Sequence, residues 1–110
     1  MAPRKGYRSA NDPNHEEYPV TWKYDRLVRQ GDEYFKLGQY QQAIEEYDKA
    51  IKLNPNDAIG YKTRGNSYLA LAQYQRAIED YDKAIELDPN DAEARTLRQR
   101  ALRALDESAK

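Results

Sequence analysis

Small and apolar residues recur at helical spacing in two stretches of the chain. Ala43, Ile44, Tyr47, Ala50 and Ile51 fall at i, i+1, i+4, i+7 and i+8, one face of a helix, and Ala77, Ile78, Tyr81, Ala84 and Ile85 repeat it. That pattern predicts two helices with one buried face each. The opposite faces carry Glu45, Glu46, Lys49 and Glu79, Asp80, Lys83, which predicts solvated surfaces braced by Glu45–Lys49 and Glu79–Lys83 pairs. Before each stretch comes a second helical segment holding a glycine and an aromatic, Gly31 with Tyr34 and Gly65 with Tyr68. Gly38 suits the tight turn between the first two segments. Ala72 replaces it in the second turn, where a positive φ would cost about 1 kcal/mol. After each apolar stretch, Asn54-Pro55-Asn56-Asp57 and Asp88-Pro89-Asn90-Asp91 end a helix with proline and offer an Asn or Asp cap to the next.

These landmarks define one repeated unit. Tyr24 to Asp57 superimposes on Ala58 to Asp91, with Gly31/Gly65, Tyr34/Tyr68, Tyr40/Tyr74, Ala43/Ala77, Tyr47/Tyr81, Ala50/Ala84 and Pro55/Pro89 in register, 34 residues apart. A unit of that length holds two antiparallel helices and two turns. Gly31, Ala43 and Ala50 let the helix backbones approach, and Tyr34, Tyr40 and Tyr47 fill the space between them.

The unit resembles the tetratricopeptide repeat (TPR) family, whose pattern of large, Gly, Tyr, Ala, aromatic, Ala and Pro positions is met by Leu27, Gly31, Tyr34, Ala43, Tyr47, Ala50 and Pro55. Tyr61, Gly65, Tyr68, Ala77, Tyr81, Ala84 and Pro89 meet it again. Gln30 and Arg64 depart from it, standing where an apolar residue usually precedes the glycine. The resemblance implies an all-α fold, an alpha-alpha superhelix of two helical hairpins, over residues 21–57 and 58–91.

Residues 92–110 continue as a third leading helix with no second helix after it. Ala94, Leu97, Ala101 and Leu105 make one apolar stripe, while Arg95, Arg98 and Gln99 replace the inward residues and glycine of a further repeat. A single capping helix with a basic outer face is expected there, covering the last hairpin. Residues 1–20, with their prolines and lack of periodicity, read as a flexible N-terminal tail. Thr21 is a candidate cap for a first helix beginning near Trp22, and Trp22 is expected to pack on the first hairpin as a lid.

Composition narrows the function. The chain has 110 residues, enough for one small domain, with 34% charged residues and a formal net charge of −1. Neither a nucleic-acid footprint nor a pull towards anionic membranes follows from that balance. There is no cysteine and one histidine, His15. Thiolate chemistry, Ser-His-Asp triads and Cys- or His-ligated metal centres therefore lack their residues, and neither a metal nor a cofactor is expected. The adjacent carboxylates Glu16/Glu17, Glu45/Glu46 and Glu79/Asp80 point in different directions on a helix and read as solvated. No run approaches the roughly 20 apolar residues of a membrane span, and no secretory signal is present. A non-enzymatic, soluble, cytoplasmic protein is expected.

In the resembled family the first helix of each hairpin lines a concave groove that binds peptides or partner helices. The matching positions here are Asp25, Val28, Asp32, Phe35 and Lys36, then Ile59, Lys62, Asn66, Leu69 and Ala70, then Glu93, Thr96, Arg100 and Arg103. An apolar floor of Val28, Phe35, Ile59 and Leu69 with a charged rim suits protein recognition. Asp25 and Asp32 at one end, with Lys62, Arg100 and Arg103 at the other, imply a peptide whose acidic end lies towards the cap. The carboxylate clamp of some family members uses Lys, Asn, Asn, Lys and Arg. Val28, Asp32, Thr63, Glu93 and Leu97 stand at those positions, so that recognition is not expected. The expected function is an adaptor or scaffold binding a protein or peptide; the alternative is a homo-oligomer joined through Trp22 or the capping helix.

Overall fold

The computed structural model describes residues 20–110, which form five α-helices among the described residues. They are α1 (Val20–Lys36), α2 (Tyr40–Leu53), α3 (Ala58–Ala70), α4 (Tyr74–Leu87) and α5 (Ala92–Ser108). The readings of a flexible tail and of His15, Glu16 and Glu17 lie outside the described residues. Helices α1 and α2 pack as one hairpin, α3 and α4 as the next, and α5 closes against α4. α2 also packs on α3, while α1 touches α3 and α3 touches α5, so the three leading helices lie side by side. This is the all-α helical-repeat superhelix expected from the sequence.

Close approach within each hairpin rests on glycine. A Cβ on Gly65 would come within 2.8 Å of the Tyr81 ring, and one on Gly31 would overlap the Tyr47 ring. Both tyrosines are buried, with Ala43, Ala50, Ala77 and Ala84 leaving no exposed surface around them. Each hairpin turn closes with the same hydrogen bond, Gln39 N–H to the Tyr34 carbonyl and Gln73 N–H to the Tyr68 carbonyl, both 2.9 Å. Gly38 has φ 76° and Ala72 φ 61°, so the second turn forces its alanine into the left-handed region. The caps read from sequence are present: Asp57 accepts from Ile59 N–H, and Asp91 from Ala94 N–H. On α5, Ala94 and Ala101 are fully buried, and Leu97, Leu102 and Leu105 pack on Ala77, Ile78 and Tyr81.

Several expectations are corrected. α1 begins at Val20, so Thr21 lies inside its first turn and is not its cap. Burial of Tyr24 against the start of α3 holds that turn: its hydroxyl accepts from Gly60 N–H at 2.8 Å. Burial, helped by Asp57, pushes the Tyr24 phenol up to about 12. Trp22 is 56% exposed and does not serve as a packed lid; it shares an outer surface of α1 with Arg26, Arg29 and Glu33. Lys49 pairs with Glu46 and Lys83 with Glu86, so neither lysine uses its predicted i−4 partner. Such surface pairs contribute little whichever partner is chosen.

The largest correction concerns Asp80, which is buried and not solvated. Arg64, the departure from the family pattern, reaches across its hairpin and donates two hydrogen bonds to it, at 2.9 and 2.8 Å. The same guanidinium donates to Asp48 of the preceding hairpin at 2.8 Å and lies 5.9 Å from the Tyr61 and Tyr68 ring centres. One repeat later, Arg98 of α5 bonds Asp82 of α4. The same arginine–aspartate clasp thus joins successive units at both junctions.

Two stability predictions follow. Arg64→Ala strands a buried carboxylate and is expected to cost about 3–5 kcal/mol in urea unfolding. Burial already holds the Asp80 carboxyl above its ordinary value, against the opposing pull of Arg64. Without Arg64 the folded-state value rises further, so the variant's deficit should narrow as pH falls and Asp80 takes up a proton. Ala72→Gly is expected to stabilise by about 1 kcal/mol, because it relieves the positive φ, with a matching rise in urea midpoint.

Candidate groove between the leading helices

The leading helices place three groove positions in strict register. Asp32 of α1, Asn66 of α3 and Arg100 of α5 are separated by 34 residues each. The first two accept a hydrogen bond from the buried tyrosine of their own hairpin: Tyr47 Oη to Asp32 Oδ1 at 2.5 Å, Tyr81 Oη to Asn66 Oδ1 at 2.6 Å. Burial raises both phenols far above their ordinary value, and Asp32 raises Tyr47 further. The Arg100 charge acts against this on Tyr81, which places it near the second junction.

Asp32, Phe35, Lys36, Tyr47, Thr63 and Asn66 line an open cavity of about 210 Å³ between α1 and α3. Four of the residues read from sequence, Asp32, Phe35, Lys36 and Asn66, are therefore brought together. Phe35 is half-buried and meets the Tyr40 ring edge-on, with centres 5.0 Å apart. Tyr47 was assigned wholly to the core, yet its hydroxyl end reaches the cavity. Its pairing with Asp32, 15 residues away on another helix, has no signature in local periodicity.

The remaining positions divide. Leu69 packs on the core cluster of Ala77, Ile78, Tyr81 and Ala101, so it supports the hairpin and is not free groove floor. Ile59 is 49% exposed and Val28 is half-buried; neither lines the cavity. Asp25 lies on the outer surface of α1 with Trp22 and Arg29. Lys62 was expected to offer positive charge to a ligand. Its ammonium is instead held by Asp91 at 2.8 Å and Glu93 at 2.9 Å. Burial lowers the Lys62 pKa, but those two bonds outweigh it and leave the group above its ordinary value. The partner Asp91 is held below the usual carboxylate range, chiefly by the Lys62 bond. Arg100 and Arg103 are exposed on α5. Among the described residues, no three His, Cys, Asp or Glu side chains cluster as metal ligands, and no helix is long and apolar enough to cross a membrane.

Comparison with known proteins agrees with the fold. A family model described as TPR repeat matches residues 31–72, and one described as tetratricopeptide repeat matches residues 58–91. Together they take in more than half of the chain. Human serine/threonine-protein phosphatase 5 is 39% identical over 68 residues, which cover 58% of this chain and only 14% of that protein. Among solved structures, the TPR2B domain of yeast Sti1 in its Hsp70 complex is 35% identical with TM-score 0.76, over 80% of this chain and 70% of that one. The second TPR domain of human RPAP3, in complex with the HSP70 peptide SGPTIEEVD, is 28% identical with TM-score 0.77, over 81% and 74%.

Asp91 serves both as cap and as ion partner, and substitution separates the two. Asp91→Asn keeps a capping oxygen but removes the charge of a partly buried ion pair, and is expected to cost about 1 kcal/mol. Asp91→Ala should cost about 1–2 kcal/mol by losing the cap as well. Because the folded-state pKa of Asp91 is lowered, the ion-pair part is present above the ordinary carboxylate value and lost as pH falls through the lowered one. Thermal melts of both variants at neutral and acid pH check this.

Proposed function

The chain belongs to the tetratricopeptide repeat family, and we propose that it is a non-enzymatic protein-interaction module, an adaptor or scaffold, that binds a peptide or partner helix in the groove of α1, α3 and α5. The observation that carries this reading is the cavity between α1 and α3, where an aromatic ring, a carboxylate and an amide converge on space left by the leading helices. The similar Sti1 and RPAP3 domains have chaperone peptides or chaperones as partners. Clamp-type recognition is not proposed for this chain. Its clamp positions hold Val28, Asp32, Thr63, Glu93 and Leu97, and the nearby Lys62 is already neutralised by Asp91 and Glu93. The phosphatase match spans too little of that enzyme to carry its activity here. A cytoplasmic setting goes with this reading.

The ligand's polarity follows from Asp32 near one end and Arg100 with Arg103 at the other: its acidic end lies towards α5. Lys62 no longer counts among the residues that would read it. A second reading is self-association through the outer face of α1, favoured by the exposure of Val20 and Trp22, 53% and 56%.

The test is a peptide-library selection on the full chain, followed by titration of the best ligands with amide-shift mapping. Shifts are expected to gather at Phe35, Thr63 and Asn66. Phe35→Glu should weaken binding about tenfold or more while the helical circular dichroism is unchanged. A peptide ending in Glu-Glu-Val-Asp should not saturate the groove at micromolar concentration; micromolar binding would reinstate the clamp. Shifts confined to the Trp22 face, with a scattering mass that rises above the single-chain 12.8 kDa on concentration, would favour self-association.

A further inference from the structure

Resting on the groove reading, we propose that the cavity between α1 and α3 seats a lysine or arginine side chain of the bound partner, with the Asp32 carboxylate as its counter-charge. The argument starts from the repeat itself. At position 66 a neutral amide oxygen accepts the buried tyrosine's hydroxyl at 2.6 Å. At position 32 a carboxylate does the same work at 2.5 Å. The fold asks only for an acceptor, so the negative charge at Asp32 is additional to what the hairpin needs. Half-burying a carboxylate costs desolvation free energy, and a counter-cation normally offsets it.

The described residues supply no such cation. Among the described residues, no lysine or arginine stands within ion-pairing distance of Asp32. Lys36, one turn further along α1 and lining the same cavity, pairs with Glu33 at 3.8 Å. Lys62, on the neighbouring helix, is taken by Asp91 and Glu93. A carboxylate has about four lone-pair positions, and the Tyr47 hydroxyl occupies one.

The surroundings suit an ammonium or guanidinium head. The Phe35 ring supplies an aromatic wall on which a cation can rest. The Thr63 hydroxyl, which donates to the Ile59 carbonyl at 2.9 Å and lies beside the Tyr47 phenol, adds a polar wall to the same space. At about 210 Å³ the cavity is smaller than a typical small-molecule site of roughly 300 Å³ or more, and it matches the end of one long side chain. An acidic ligand residue there would meet Asp32 directly and be repelled. The cation therefore sits at the α1 end of the ligand, opposite the acidic end placed near Arg100.

The probes are N-acetylated, C-amidated nonapeptide pools with one position at a time fixed as Arg, Lys, Gln or Glu. Binding to the full chain is read by fluorescence anisotropy. Pools fixed as Arg or Lys at one position should bind best. In the leading peptide, replacing that cation by Gln should weaken binding to the wild-type chain about tenfold. The same replacement should change binding to Asp32→Asn by less than about twofold, the signature of a coupled pair. Asn66 shows that an amide supports the buried tyrosine, so Asp32→Asn is expected to keep its melting curve; should it not, Asn66→Asp is read instead and should create a second cation preference. If the leading peptides carry no cation, or the cation's effect survives in Asp32→Asn, the proposal falls. If Phe35→Glu still abolishes binding in that case, the groove reading stands alone. If Phe35→Glu changes nothing either, both readings fall.

Discussion

Everything in this molecule hangs on two tyrosine rings lying against two glycines. Tyr47 over Gly31 and Tyr81 over Gly65 fix how near the paired helices of each hairpin come, because any side chain at the glycine would overlap or crowd the ring. The alanines at 43, 50, 77 and 84 matter for the same reason: they are fully buried where a larger group would push the helices apart. Close packing of small residues around a large ring gives a rigid hairpin from few apolar atoms, which a chain with 34% charged residues needs. The ring also determines chemistry. It is long enough to carry its hydroxyl out of the core to the inner edge of the leading helix, where it meets Asp32 or Asn66. Core packing and groove composition are therefore set by one side chain.

Between units the design changes from apolar to polar. Arg64 is satisfied only when Asp80 of its own hairpin and Asp48 of the previous one are both in place. Tyr24 accepts its hydrogen bond from Gly60 N–H only if α3 begins alongside α1 with Gly60 facing it. A Cβ at Gly60 would sit 3.0 Å from both the Tyr24 oxygen and Ile51, so this contact also tolerates little displacement. Apolar surfaces alone would accept several neighbouring registers of one hairpin on the next. Directional bonds to buried partners discriminate among them, which is the best-attested use of buried charge. That fixed register is what brings α1 and α3 together along the groove.

The sequence revealed whatever recurs along a single helix or at the repeat interval: the period, the capping residues Asp57 and Asp91, the turn at Gly38 and its strained counterpart at Ala72, and the stripe on α5. It hid whatever depends on a neighbouring helix. Asp80 sits among polar residues along its own helix, and only Arg64 from another helix makes it an interior group. Leu69 and Lys62 had the spacing of groove residues, but the capping helix claims both: Leu69 through the core that α5 helps to build, Lys62 through Asp91 and Glu93 at the start of α5. A signal was available for the clasp. Asp48 and Asp82, like Arg64 and Arg98, recur at the repeat interval with a constant separation of 16 within each pair, while Gln30 breaks the series. A paired recurrence of opposite charges at repeat spacing marks an interface even where each charge alone looks solvated. Tyr24 carried no such signal, because Ala58 replaces it in the second unit.

Repeat symmetry also shows which groove residues are there for the fold and which are not. Where the copies agree, as with Gly31/Gly65 or Tyr47/Tyr81, packing accounts for the identity. Where they differ at a position with the same structural duty, packing cannot choose between the residues. Asp32, Asn66 and Arg100 are acid, amide and base at one register of three adjacent helices. The first two accept the equivalent tyrosine hydroxyl, each from its own hairpin, at nearly the same distance. On the proposed reading of the groove, a graded charge along that line would discriminate between the two directions in which an extended chain could cross the leading helices. Reversing such a ligand would set like charges against each other at both ends. Hairpins identical throughout would present the same face to both directions, so the divergence of the copies is what gives this groove a polarity.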